Sequence, residues 1–158
     1  MELIIIKGKS NIGKTTIATI FHNRLAQIER IKLKWMEYDS WLLPLEEKDL
    51  FYPNVPDFRS VFLYKEKLIG IVSHGDSVLY AKQFIRQMMN EFNVDVLIVC
   101  SNVEGKNWDM LNRDFGKYIK DENIFEVSSD CWTEDRNNRI IAKECFVDVL
   151  IKHLNQIM

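Results

Sequence analysis

The order of hydrophobic and polar positions in this 158-residue chain predicts strands alternating with helices. Residues 2–7, ELIIIK, form an apolar run typical of a short buried strand, and the apolar positions of residues 14–30 follow helical spacing. Residues 31–39, IKLKWMEYD, alternate apolar and polar side chains, which indicates a second strand ending near Asp39. The chain therefore begins with a predicted strand–helix–strand unit.

The remaining pattern predicts a β-hairpin, two more strands and three more helices. Two strand-like runs surround a short charged turn in residues 59–73, and within residues 74–92 a helix is expected to begin after Asp76 as its N-cap. The other predicted elements are a buried strand at 94–101, a helix at about 107–120, a strand at 124–129 and a helix at 133–156. Continuous apolar strands between helices predict an α/β fold with a mostly parallel sheet covered on both faces, to which the hairpin adds one antiparallel strand.

Composition narrows the class of protein and its partners. A length of 158 residues, 47% of them hydrophobic and 28% charged, predicts a single domain over residues 1–158. The net charge of −2 gives no reason to expect a nucleic acid or a membrane as partner. The first apolar run is too short for a signal peptide, and Cys100 and Cys145, both in apolar segments, are expected to be buried thiols, so we expect a cytoplasmic protein.

Ligands of parallel α/β sheets bind beyond the carboxyl ends of the strands, and the first such loop carries a phosphate-binding motif. Residues 8–15, GKSNIGKT, match G-x-x-x-x-G-K-[ST] between a predicted strand and a predicted helix. The glycines allow backbone N–H groups to form an anion-binding nest, Lys14 supplies a positive charge for phosphates, and Thr15 offers a hydroxyl to Mg²⁺. The residues expected to bind the nucleotide are Gly8, Asn11, Ile12, Gly13, Lys14, Thr15 and Thr16.

On these residues, positions 2–29 resemble the opening strand, phosphate loop and helix of the P-loop NTPase superfamily. The resemblance implies a three-layer α/β/α P-loop NTPase fold that binds ATP with Mg²⁺. Within the superfamily, Asp39, 25 residues after Lys14 at a predicted strand end, resembles the catalytic or metal-binding carboxylate of small kinases. In that case the loop at 42–57 would hold a small hydroxyl-bearing acceptor. An arginine that closes over the phosphates would come from Arg113, Arg136 or Arg139.

Two other branches of the superfamily are alternatives. Lys9, directly after the first loop glycine, resembles the signature lysine of dimerising partition-type ATPases. A GTPase-like switch is disfavoured because CSNVEG, at residues 100–105, lacks the Asn-Lys-x-Asp pattern that reads guanine. ATP is therefore expected rather than GTP, and the oligomeric state stays open.

The chain lacks the acidic residue that P-loop enzymes place directly after an apolar strand to hold the Mg²⁺ shell. The apolar run of residues 68–72 ends instead in Ser73, His74, Gly75 and Asp76. Asp76 is the nearest substitute, although N-capping explains it equally well. We therefore expect an ATPase or small-molecule phosphotransferase with Lys14, Asp39 and Asp76 as catalytic residues and Thr15 and Asp39 at the metal. A nucleotide sensor without rapid turnover is the alternative.

Overall fold

The computed structural model describes residues 1–38 and 56–158, which form an α/β fold with a six-stranded mixed sheet and four α-helices. The strands are β1 (Glu2–Lys7), β2 (Lys32–Tyr38), β3 (Phe58–Tyr64), β4 (Lys67–Val72), β5 (Val96–Ser101) and β6 (Ile124–Glu126). The helices are α1 (Lys14–Gln27), α2 (Val78–Asn90), α3 (Lys106–Phe115) and α4 (Arg136–Ile157). The predicted alternation of strands and helices is confirmed for the described residues.

The sheet has the strand order β2-β3-β4-β5-β1-β6. Strand β1 pairs in parallel with β5 and β6, β4 pairs in parallel with β5, and β3 runs antiparallel to both β2 and β4. This confirms a mostly parallel sheet to which the hairpin contributes one antiparallel strand. Because β3 is reversed, its first residue lies at the edge of the sheet where the parallel strands end, and Arg59 pairs with Val72 there.

Alternate residues of the central strands fill two hydrophobic cores. Ile4 and Ile6 of β1 pack with apolar residues of α1 and α4, whereas Leu3 and Ile5 pack with those of α2 and α3. The strand period of two therefore divides β1 evenly between the two cores. A strand that is apolar on both sides is fully buried, which accounts for the continuous run ELIIIK.

Two local predictions are wrong. The N-cap of α2 is Ser77 rather than Asp76, because the Ser77 hydroxyl accepts the hydrogen bond of the Tyr80 N–H at 3.4 Å. Cys100 is buried as expected, but Cys145 is exposed on α4. None of the helices in the described residues is long and apolar enough to cross a membrane.

Candidate functional site

The glycine loop, residues 8–13, leaves β1 at the carboxyl edge of the sheet and leads directly into α1. Its first residue is tied to the neighbouring strand, since the Gly8 N–H donates to the Ser101 carbonyl at 3.0 Å. Asn11 and Gly13 have positive φ angles of 62° and 91°, which turn the backbone sharply before the helix begins. A side chain at Gly13 would be strained by this backbone and would lie 2.7 Å from the Lys143 ammonium. The loop therefore needs glycine at position 13.

The first turn of α1 has backbone donors that no side chain caps. Its N-cap is Gly13, which has no side chain. Gly105 likewise leaves α3 without a side-chain cap, whereas Ser77 caps α2 and Asp135 caps α4 through side-chain oxygens. The first N–H groups of a helix have no partner within the helix, and they lie at the positive end of its dipole. The glycine loop and the start of α1 together offer the backbone donors that an anion requires.

Lys14, the first residue of α1, folds its side chain back over the glycine loop. Its ammonium donates to the carbonyls of Gly8 at 3.0 Å and Lys9 at 2.7 Å, and to the Asn102 side-chain oxygen at 2.9 Å. Burial lowers the pKa of Lys14, while the nearby charges of Asp76 and Asp57 act to raise it. The loop thus holds a positive charge whose three donors are already used.

Thr15 contacts a carboxylate that the sequence analysis did not single out. Its hydroxyl donates to Asp57 Oδ1 at 2.9 Å, and the Ser73 hydroxyl donates to the same oxygen at 3.0 Å. Ser73 is completely buried and accepts the N–H of Phe58 at 2.8 Å. Thr15, Asp57 and Ser73, which we call the oxygen cluster, therefore bring together two hydroxyls and a carboxylate next to the glycine loop.

The reversed direction of β3 explains the position of Asp57. A carboxylate that follows a parallel strand was expected, but Asp57 precedes an antiparallel strand, and both positions lie at the same edge of the sheet. The sequence signal was the hairpin itself, because the residue before its first strand must lie beside Ser73, which follows its second. Asp57 thus lies beside Thr15, where P-loop enzymes place the acidic residue that follows an apolar strand.

The segment after β4 also lies against Lys14, as its sequence position predicted. A Cβ at Gly75 would lie 3.1 Å from Lys14 Cε and 3.2 Å from Cys100 Cβ, so the backbone passes very close to the lysine. Asp76 is exposed, and its charge acts on the pKa of Lys14. His74 is 1% exposed and packs against Phe84 with ring centroids 4.5 Å apart, which places it in the core beneath this edge.

The other predicted residues are dispersed. Asp39 and residues 42–55 of the expected acceptor loop lie outside the described residues, so those predictions stay predictions. Arg113 is on the exposed side of α3, where it pairs with Asp114, and Lys9 is exposed on the glycine loop. Arg139 lies on α4, 5.2 Å from the ring of Trp132, and Arg136 begins the same helix.

The remaining residues predicted to bind the nucleotide differ in burial. Asn11 is exposed, Ile12 and Thr15 are partly buried, and Thr16 is buried in the first turn of α1.

In the described parts of the chain, no group of three or more His, Cys, Asp or Glu side chains is placed to hold a metal ion. A magnesium ion bound together with phosphates does not need such a group, because it uses one or two protein oxygens and keeps several waters. Comparison with known proteins found no matching family model, no matching curated protein and no matching solved structure. The assignment of a function therefore rests on the chemistry of this edge of the sheet.

Proposed function

We propose that the chain is a single-domain P-loop NTPase of the three-layer α/β/α type, which binds ATP with Mg²⁺ at the glycine loop and transfers or hydrolyses the terminal phosphate. The observation that carries the proposal is the oxygen cluster beside the uncapped start of α1. Backbone donors and Lys14 favour polyphosphate on one side, and oxygen atoms suited to Mg²⁺ lie on the other. An ordinary strand-to-helix turn can leave its helix uncapped, as the start of α3 shows, but it requires neither a lysine folded over the loop nor the oxygen cluster.

The residues present fit a magnesium ion by their donor chemistry. Mg²⁺ prefers hard oxygen ligands, and the Thr15 hydroxyl and the Asp57 carboxylate supply them, while Ser73 holds Asp57 in place. When bound with the nucleotide, the ion would neutralise charge on the β- and γ-phosphates. Thr15 would bind the ion, and Asp57 would hold it directly or through its waters. The sequence predicts this metal-binding role for Asp39. Since Asp39 lies outside the described residues, that role stays a prediction.

The groups available for catalysis are Lys14, Asp76 and Asp39. Lys14 would stabilise negative charge on the phosphates, for which one of its three present hydrogen bonds must be exchanged. Asp76 is exposed and close enough to Lys14 to interact with its charge, so it is the described carboxylate available to accept a proton from water or a hydroxyl acceptor.

Substitution of Asp57 tests the proposal. Asp57→Asn keeps the shape of the side chain but removes its charge, so we expect ATP to bind about 10-fold more weakly in Mg²⁺ and nearly unchanged in EDTA. Calorimetric titration with ATP at both conditions measures this difference. The matched control is Asp109→Asn, an exposed carboxylate on α3 far along the chain from the oxygen cluster. If the parent protein binds neither ATP nor GTP, the proposal is wrong.

A second candidate is nucleotide binding without turnover. The observation that favours it is that β4 is followed by Ser73 and His74, both buried, so no carboxylate directly follows this strand. Measurement of phosphate release, alone and with a panel of hydroxyl acceptors, separates the two candidates, and Asp76→Asn should abolish any turnover. The partition-type alternative instead requires ATP-dependent dimerisation that is lost in Lys9→Ala, which light scattering detects.

A further inference from the structure

A second lysine reaches the glycine loop from the other end of the chain. Lys143 lies in the second turn of α4, and its ammonium is 2.7 Å from the position that a Cβ would occupy at Gly13. Only 3% of the residue is exposed. Two helices that are far apart in sequence thus bring ammonium groups to the same short loop, Lys14 from the start of α1 and Lys143 from α4.

Unlike most buried cations, Lys143 has no anionic partner among the residues that the structure describes. It makes no hydrogen bond or ion pair with any residue in the ranges 1–38 and 56–158. Its pKa is lowered, first by burial and then by the positive charge of Arg139. Burying an unpaired charge is costly, so a position that keeps one is favourable when an anion binds there.

An exposed aromatic ring lies next to this ammonium. Trp132 closes the 3₁₀ turn Ser129–Trp132 between β6 and α4, and 55% of it is exposed. Its ring centroid is 5.8 Å from Lys143 Nζ and 5.2 Å from the Arg139 guanidinium carbon. Lys143 therefore bridges the gap between the glycine loop and an accessible aromatic surface.

We propose that Lys143 and Trp132 form the nucleoside side of the nucleotide site: Lys143 binds a phosphate oxygen at Gly13, and Trp132 stacks on the base. This inference rests on the proposed function, because it needs a phosphate in the glycine loop. It fixes the direction of the nucleotide, with its terminal phosphates towards Lys14 and the oxygen cluster and its base towards α4. Stacking on one aromatic side chain favours the larger purine ring system and accepts different bases.

The test compares two probes, ATP and inorganic tripolyphosphate, each with Mg²⁺ and titrated calorimetrically into the full chain. Trp132→Ala should weaken ATP binding about 10-fold and leave tripolyphosphate binding unchanged, because only ATP has a base to stack. Trp132→Phe should retain most of the affinity for ATP. Trp132 is exposed, so these variants are expected to fold.

Lys143→Met should weaken both probes by about 10-fold, because both carry the phosphate that the lysine binds. The same variant should melt at the same temperature as the parent or higher in the absence of ligand, because it removes an unpaired buried charge. Lys152→Met is the matched control, since it removes an exposed lysine from the same helix. It should change neither probe.

The outcomes distinguish this inference from the proposed function. If the parent binds neither probe, the proposed function fails and the inference fails with it. If the parent binds both probes but Trp132→Ala binds ATP as tightly as the parent, or Lys143→Met binds both unchanged, the inference alone is overturned. An equal loss of both probes in Trp132→Ala would also overturn it, because the ring would then act on the fold and not on a base.

Discussion

Lys14 and Lys143 are both buried at the glycine loop, yet their surroundings differ in kind. Lys14 is 5% exposed and Lys143 is 3% exposed. All three donors of Lys14 are used by loop carbonyls and Asn102, and two carboxylates act on its charge. Lys143 has no such hydrogen bond or carboxylate within the described residues, and the positive charge of Arg139 acts to lower its pKa.

From this difference we infer that Lys14 shapes the loop, whereas Lys143 is available to bind an anion. Lys14 stabilises the folded loop even without an anion, because it joins the carbonyls of Gly8 and Lys9 to β5 through Asn102. Lys143 adds no comparable bond within the described residues, and burial lowers the pKa of its ammonium. Substitution should therefore affect the two lysines differently: Lys14 variants should lose stability and binding, whereas Lys143 variants should lose binding alone.

The largest expected effect follows from Lys14→Met. Loss of its positive charge should weaken the binding of ATP with Mg²⁺ by at least about 100-fold, because charge-assisted contacts to phosphate contribute about 1.5–3 kcal/mol each. The free energy of unfolding without ligand should fall by about 1–3 kcal/mol, because three acceptors lose their donor. Titration calorimetry and urea unfolding measure the two quantities.

Lys9→Met is the matched control for this variant, since it removes the same charge from the exposed side of the loop. It should preserve stability within about 0.5 kcal/mol. If Lys14→Met were instead as stable as the parent while Lys143→Met lost stability, the roles that we assign to the two lysines would be reversed.

The second prediction tests whether burial alone lowers the pKa of a basic side chain in this protein. The interpretation of Lys143 assumes that it does. His22 of α1 is 5% exposed, lies between the rings of Phe58 and Phe62, and its Nδ1 is 2.9 Å from the Ser60 hydroxyl oxygen. Burial lowers its pKa from 6.5 to about 4. Between these values the unfolded chain binds the proton and the folded chain does not, so acidification favours unfolding.

The titration of His22 should therefore leave the free energy of unfolding unchanged above pH 6.5. Below this pH the free energy of unfolding should fall as the pH falls towards 4. The free energy of unfolding should decrease by about 3 kcal/mol over this range on account of His22. Urea unfolding at pH 7.5 and pH 4.5 measures the decrease, and His22→Gln should lack that part of it. An identical pH dependence in the two proteins would contradict a burial-driven shift and weaken the same argument for Lys143.

A third, smaller effect should follow from Gly75→Ala, which displaces Lys14 without altering its charge. The new Cβ would lie 3.1 Å from Lys14 Cε and 3.2 Å from Cys100 Cβ, so the lysine must move by a few tenths of an ångström. We expect a loss of about 1–2 kcal/mol in stability, the usual cost of overpacking, together with weaker ATP binding.

Gly116→Ala is its control, because no atom of another described residue, its chain neighbours apart, lies within 4 Å of that Cβ position and its φ of −53° suits alanine. It should stabilise the protein by about 0.4–1 kcal/mol through the unfolded chain. If the two substitutions changed ATP affinity equally, the close contact between Gly75 and Lys14 would not affect ATP binding.

The sequence predicted the parts of this site that depend on local order. The glycine loop and its helix follow from residues 2–30, and the predicted loops after β4 and β5 do meet at one edge, through Gly75 and Asn102 against Lys14. Because the carboxyl ends of parallel strands lie at the same edge of a sheet, the loops that follow them are predicted to lie close together even without knowledge of the strand order. Asp76 was misassigned as the N-cap because Ser77, one residue later, has an equally suitable side chain.

Asp57 and Lys143 were not predicted, for different physical reasons. Asp57 reaches Thr15 only because β3 lies next to β4 and reverses its direction, which places the start of one strand beside the end of another. Lys143 is 130 residues after Gly13, and a lysine in a helix usually indicates a solvent-exposed face. Lys143 is buried because α4 packs against α1. The hydrophobic periodicity of α4 alone does not predict this packing.

The smallest effect should come from Asn102→Ala, and it tests whether Lys14 is restrained by its three hydrogen bonds. The substitution removes the acceptor 2.9 Å from Lys14 Nζ and should cost about 0.5–1.5 kcal/mol of stability. ATP affinity should stay within about 3-fold of the parent, because the freed donor becomes available to phosphate while the carbonyls of Gly8 and Lys9 still hold the ammonium. Urea unfolding and calorimetry measure both. A loss of ATP binding as large as in Lys14→Met would mean that Asn102 itself contacts the nucleotide, and the contrast between a satisfied Lys14 and an unpaired Lys143 would no longer explain the site.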